Sequence, residues 1–196
     1  MKILSLIQAS IGAALLSLTL STAAAPAPAA PGDADTYDQR EIMTKANELF
    51  GATTEGLARA VERVFAEKGR PNAYITGQEG SGAVVVGLRY GTGDLYMKKE
   101  GNKAAKIYWQ GPSVGFDFGG NASKVFVLIY NLPNTDAIYQ RFPGVEGSAY
   151  IVAGVGVNYQ QSGRIILAPM RTGVGLRGGA NVGYLSYSKE RSILPF

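Results

Sequence analysis

Cysteine and histidine are both missing from this 196-residue chain. Without a thiol there is no disulfide and no thiolate ligand. Without an imidazole the usual zinc sites are closed, and only hard oxygen ligands remain for a metal. No histidine can serve as general base for a serine nucleophile, so the commonest hydrolytic designs are excluded as well. Charge is also thin, at 17% of residues, with 19 basic against 15 acidic groups. From Pro71 onward 12 basic residues face seven acidic ones. That bias is ordinary for a soluble domain, although it would suit an anionic partner. No nucleic-acid partner, metal or cofactor is expected, and no catalytic residue is assigned.

What is present begins with an export signal. Lys2 precedes a charge-free run from Ile3 to Leu20, and small residues follow at Ser21-Thr22-Ala23-Ala24-Ala25. A short positive region, an apolar stretch and A-x-A-like registers read as a cleavable signal peptide over residues 1–24. The apolar run is near the ~18-residue minimum for a membrane span. Gln8, the Ser and Thr residues and the cleavage site argue against a retained anchor. Residues 25–36, rich in Ala and Pro, read as an extended tether.

Residues 37–70 carry two amphipathic helices. Asp38 and Glu41 have capping-box spacing. Ile42, Met43, Ala46, Leu49 and Phe50 then fall on one stripe at period 3.6, and Gly51 ends it. Thr53 or Thr54 is the expected cap of the second helix, with Glu55 in its first turn. Its stripe is Leu57, Val61, Val64 and Phe65, and its stop is Gly69 and Pro71.

Residues 71–196 change grammar. Most of the 26 glycines lie here, with short runs of Val, Ile, Tyr and Phe between turn signals. The pattern predicts strands near 73–77, 82–90, 93–98, 105–110, 113–118, 124–130, 148–159, 163–169 and 173–187. Turns are predicted at Gly91-Thr92-Gly93, Glu100-Gly101-Asn102, Gly119-Gly120-Asn121, Gln161-Ser162-Gly163 and Arg171-Thr172-Gly173. A short helix is predicted over 135–142. Glycines at period 2, as in Gly154-Val155-Gly156-Val157 and Gly173-Val174-Gly175-Leu176, leave one sheet face bare, which suits a tightly curved wall. The expected fold is mainly β: a small closed antiparallel β-barrel preceded by two amphipathic α-helices.

Three motifs resemble chemistry. Gly173-Val174-Gly175-Leu176-Arg177-Gly178 matches the dinucleotide fingerprint, but strand-like sequence flanks it on both sides and no helix follows. Gly111-Pro112-Ser113-Val114-Gly115 matches a nucleophile elbow, but there is no histidine, so it reads as a turn carrying a serine. Ser186-Tyr187-Ser188-Lys189 fits S-x-x-K, yet on a strand residues three apart face opposite ways. The carboxylates after residue 71 are Glu79, Asp94, Glu100, Asp117, Asp136, Glu146 and Glu190; of these Asp117, between two phenylalanines, is expected to be partly buried. The aromatics read mainly as barrel filling, and Tyr and Trp could also meet sugars or lipids. The candidate ligand-binding residues are Arg89, Tyr108, Trp109, Asp117 and Arg177.

Several blocks carry a family resemblance: Gly69-Arg70-Pro71-Asn72-Ala73-Tyr74-Ile75, Gly87-Leu88-Arg89-Tyr90-Gly91, Tyr108-Trp109-Gln110-Gly111-Pro112-Ser113, Gly115-Phe116-Asp117, Arg141-Phe142-Pro143-Gly144-Val145 and Gly179-Ala180-Asn181-Val182-Gly183-Tyr184-Leu185. Together they resemble the envelope integrity protein A (EipA) family, over about Tyr37 to Phe196. The resemblance implies a periplasmic location, a small β-barrel and a non-enzymatic role in envelope integrity. The expected function is binding of an envelope lipid, a glycan or a protein partner. The alternatives are an integral outer-membrane β-barrel and a histidine-free envelope polysaccharide hydrolase.

Overall fold

The computed structural model describes residues 33–51, 55–117, 123–172 and 183–192, with the backbone alone at residue 33 and over 81–87 and 113–117. The expected signal peptide, most of the tether, the Thr53/Thr54 cap and the dinucleotide-like motif lie outside the described residues.

Helix α1 (Gln39–Phe50) starts at the capping box the sequence announces. Asp38 Oδ1 accepts from Glu41 N at 2.8 Å, and Glu41 Oε2 accepts from Asp38 N at 2.9 Å. Gly51 closes it with φ +86°, a left-handed conformation that costs glycine nothing. Helix α2 (Glu55–Lys68) ends at Gly69, φ +78°, ahead of Pro71. Among the described residues no helix is long and apolar enough to cross a membrane.

The rest is one curled antiparallel sheet. Its strands are β1 (Ala73–Met97), β2 (Ala105–Asp117), β3 (Ser123–Tyr130), β4 (Arg141–Pro143), β5 (Tyr150–Val152), β6 (Val155–Val157), β7 (Gln160–Ser162), β8 (Ile165–Thr172) and β9 (Tyr184–Ser188). The order is β4-β9-β2-β1-β3-β8-β6-β5, and β7 also pairs with β8.

Strand β1 doubles back on itself. Stretched out, its 25 residues would span about 80 Å. Instead the rings of Tyr74 and Tyr96 stack at 4.9 Å, and Lys98 N donates to Asn72 O at 3.1 Å. A Cβ on Gly77 or Gly93 would sit 3.0 Å from the other's Cα. The first arm pairs with β3 through Ala73–Glu79, and the second with β2 from Ala83↔Asp117 to Leu95↔Ala105. At the far side of the curl, Gly144 bridges Gln160, and Val145 N donates to Tyr159 O at 2.9 Å.

Four sequence expectations are corrected, the first being the single strand over 148–159, which Ala153 and Gly154, at φ +44° and +86°, turn into the β5–β6 hairpin. Gly91-Thr92-Gly93 is no turn but lies mid-strand, with Gly91 opposite Trp109. Gly111-Pro112-Ser113 likewise runs within β2. The helix expected over 135–142 is a 3-10 turn, Thr135–Ile138, capped by the Asn134 side chain. Beyond it Arg141–Pro143 joins the sheet: Pro143 disfavours helical geometry at Phe142, and Phe142 is wholly buried.

Period-2 alternation sorts the sheet into two cores. Even-numbered residues of the first β1 arm, β3 and β8 (Tyr74, Phe126, Leu128, Ala168, Met170) meet Ile42, Ala46, Leu57, Ala60, Val61 and Val64 of the helices. Odd-numbered residues form the second core. There Ile75, Leu95, Ile107, Trp109, Val127 and Leu167 share a cluster with Phe142, Leu185 and Tyr187. Strands that distant in the sheet order can meet only on its concave side.

Candidate functional site

The concave side carries an ion-paired layer above its apolar one. Glu79 continues the inward series of Ala73, Ile75 and Gly77 and is 6% exposed. Its carboxylate faces two guanidiniums. Arg171 Nε donates to Oε1 at 2.9 Å and Nη2 to Oε2 at 3.3 Å, and Arg89 Nε lies 3.2 Å from Oε1. Trp109 Nε1 donates to Oε2 at 2.8 Å, and Arg171 Nη1 reaches Asn158 Oδ1 at 2.9 Å. Burial by itself would raise the Glu79 carboxyl. The charges of Arg171 and Arg89 and the hydrogen bonds from Arg171 and Trp109 outweigh it and hold the group below its ordinary value. Burial pushes the Tyr187 phenol up, so it stays protonated.

Trp109 is placed by what its neighbours lack. A Cβ on Gly91 would lie 1.9 Å from the indole, and one on Gly77 would lie 2.6 Å from it. The ring lies flat across glycine backbone and is held against Tyr187, whose ring centroid is 6.0 Å away. Tyr187 in turn packs edge-on to Phe142 at 5.6 Å.

The convex side differs along its length. Over the first β1 arm, β3 and β8 it lies under the helices. Over the β1–β2 ladder it holds an open groove of about 460 Å³ lined by Gln78, Tyr90, Thr92, Tyr108, Gln110 and Arg191, with Gly91 and Trp109 also reaching it. The register places Tyr90 opposite Gln110 and Thr92 opposite Tyr108, on one face. Across β9, Ser188 and Ser186 sit opposite Tyr108 and Gln110.

A sequence profile described as Envelope integrity protein A matches residues 35–196. The chain belongs to the envelope integrity protein A family. Membership links it to cell-envelope integrity and to the envelope as its setting. A crystal structure of a β-barrel-like protein from Brucella abortus is 47% identical over 83% of this chain and 100% of that one, with a TM-score of 0.75. No curated protein matches the chain.

Set against this family fold, the sequence-predicted residues separate. Arg89 and Trp109 meet at Glu79 on the inside. Tyr108, next to Trp109 in sequence, faces outward into the groove. The backbone of Asp117 pairs with Ala83, six residues along β2 from Gly111, the partner of Arg89. That separation is about 20 Å along the backbone. The Asp117 side chain, and Arg177 entirely, lie outside the described residues. Sequence reasoning passed over Glu79, Arg171 and Asn158. Strand parity was the available signal, since Glu79, Arg89 and Arg171 each share a face with apolar or glycine neighbours two residues away.

Proposed function

We propose that the protein is exported to the periplasm and supports envelope integrity without catalysis, by binding an envelope ligand on the outside of a closed barrel. The observation that carries this reading is the occupied concave side. Apolar side chains fill its lower layer, and the Glu79–Arg89–Arg171–Trp109 cluster locks its upper one. Among the described residues, the β1–β2 part of the outer wall holds an open groove that a ligand could occupy.

Closure of the barrel is supported by counting the two arms of β1 separately. The ring then runs β4, β9, β2, the two arms, β3, β8 and β7, with the Gly144–Gln160 bridge as its seam. Absence of enzymatic activity is supported by the missing histidine and cysteine, and by the state of Glu79, which its arginines keep ionised and engaged. A periplasmic rather than membrane-embedded barrel is supported by the outer wall. A lipid-facing wall carries an apolar band. Among the described residues, this one is helix-covered on one part and carries Gln78, Thr92, Ser186 and Ser188 on another.

Osmotic shock of cells producing the full-length chain tests the location. Release into the soluble fraction without detergent is expected, and retention in the membrane pellet until detergent is added would contradict it. In a deletion strain, Asp117→Asn and Glu146→Gln variants should each restore detergent resistance. Loss of rescue by either would reinstate a hydrolase.

A further inference from the structure

We propose that the groove on the β1–β2 wall is a glycan-binding face, on which a strand of pyranose sugars lies across Tyr90 and Tyr108. The proposal rests on the reading of a binding protein and names its ligand class.

The chemistry of the lining selects the ligand. Two tyrosines sit among Gln78, Thr92 and the largely buried Gln110, with Leu88 at one end and Arg191 at the rim; Ser186 and Ser188 lie on the adjoining strand, where Ser188 Oγ donates to Glu190 O at 2.7 Å. A pyranose ring presents an apolar C–H face and an edge of hydroxyls. A tyrosine ring meets the first while its polar tip and neighbouring amides meet the second. An acyl chain would call for a broad aliphatic surface, and beside the groove the described residues supply Leu88 and its ladder partner Pro112. Nucleic acid would call for several cations along a backbone track, and the groove has one arginine at its edge. The volume falls within the range of small-ligand sites.

Geometry adds to the composition. Tyr90 and Tyr108 are diagonal neighbours across an antiparallel ladder, so about 7–8 Å separates them. One sugar strand can touch both rings. The floor is firm, because Gly91 rests on the Trp109 indole and Trp109 is tied to Glu79 from inside. Tyr90 is 37% exposed and Tyr108 half-buried, so both can meet a ligand without the wall unfolding.

The test is co-sedimentation of the purified exported protein with peptidoglycan sacculi, with lipopolysaccharide carrying its polysaccharide chain, and with phospholipid vesicles as a third arm. Binding to one of the two glycans, weakened about tenfold or more by Tyr90→Ala with Tyr108→Ala, supports the proposal, as expected for aromatic hot-spot residues. The first two arms tell which glycan supplies the sugars. Tyr90→Phe should keep most of the affinity. Glycan binding unchanged in the double alanine variant, binding to vesicles alone, or no binding in any arm would overturn it. Circular dichroism and melting of the variant guard against unfolding. If the first variant is damaged, Gln78→Ala with Thr92→Ala carries the same expectation. Loss of glycan binding with intact rescue of a deletion strain would sink the broader functional reading and leave the site standing. No glycan binding, with periplasmic release and rescue intact, would do the reverse.

Discussion

The β1–β2 wall has two faces that meet at Gly91 and Trp109 and otherwise carry different side chains. Its inner face holds Arg89, Gly91, Gly93, Leu95, Ile107 and Trp109, and each polar group there answers to another buried group. Its outer face holds Tyr90, Thr92, Tyr108 and Gln110, which line an open groove. Period-2 alternation is enough to separate them, so adjacent residues such as Tyr108 and Trp109 carry different duties. The inner face sets stability and geometry, and the outer face is where we place function.

The comparison can be broken most forcefully at Glu79. Replacing it with alanine leaves two arginines facing each other in a buried site, and removal of one partner of a buried ion pair costs about 3–5 kcal/mol. Urea unfolding should show that loss. The acid branch adds a second readout. Glu79 titrates below its ordinary 4.5 in the folded chain. The unfolded chain therefore takes up the proton first, and the contribution is complete above about pH 4.5. It drains away as the pH falls through the lower folded value. Glu79→Gln should flatten the acid side of the stability profile, and an unchanged profile would show that the carboxylate is not engaged.

Leu57→Ala comes next, at about 2–4 kcal/mol for a wholly buried leucine in the helix–sheet core. If its loss is well under 1 kcal/mol, the helices are not part of the cooperative unit. Gly91→Ala ranks third. Its Cβ would collide with the indole, and overpacking of this kind costs about 1–3 kcal/mol. Trp109 is the only tryptophan, so a red shift in emission reports its displacement directly. An unshifted spectrum would contradict the packing described. Tyr90→Ala should cost least, under about 0.5 kcal/mol, as surface substitutions do. A large loss of stability there would place Tyr90 among the structural residues.

Much of this was legible from residues alone. The capping box at Asp38, the glycine stops and the stripes of both helices follow from rules that act within a few residues. Glycine in the sheet was harder to read, because the same residue serves two purposes. At Gly51 it supplies a left-handed turn, whereas at Gly91 it leaves room for a ring. The sequence around Gly91 signals a turn, and only the position of Trp109, 18 residues further on, reveals the second purpose. The charged cluster was hidden for the same reason: Glu79, Arg89 and Arg171 meet through strand pairings that span 92 residues. Tyr108 was singled out as a binding residue and lines the groove, whereas the Asp117 side chain and Arg177, grouped with it, lie outside the described residues.

The central claim is that the two faces of one wall separate stability from function. The most direct measurement is made on the variant carrying Tyr90→Ala and Tyr108→Ala, by comparing its melting temperature with its ability to restore detergent resistance to a deletion strain. The account predicts a melting temperature within a few degrees of the parent and a strain that remains detergent-sensitive. Full rescue by this variant at parental stability would contradict it.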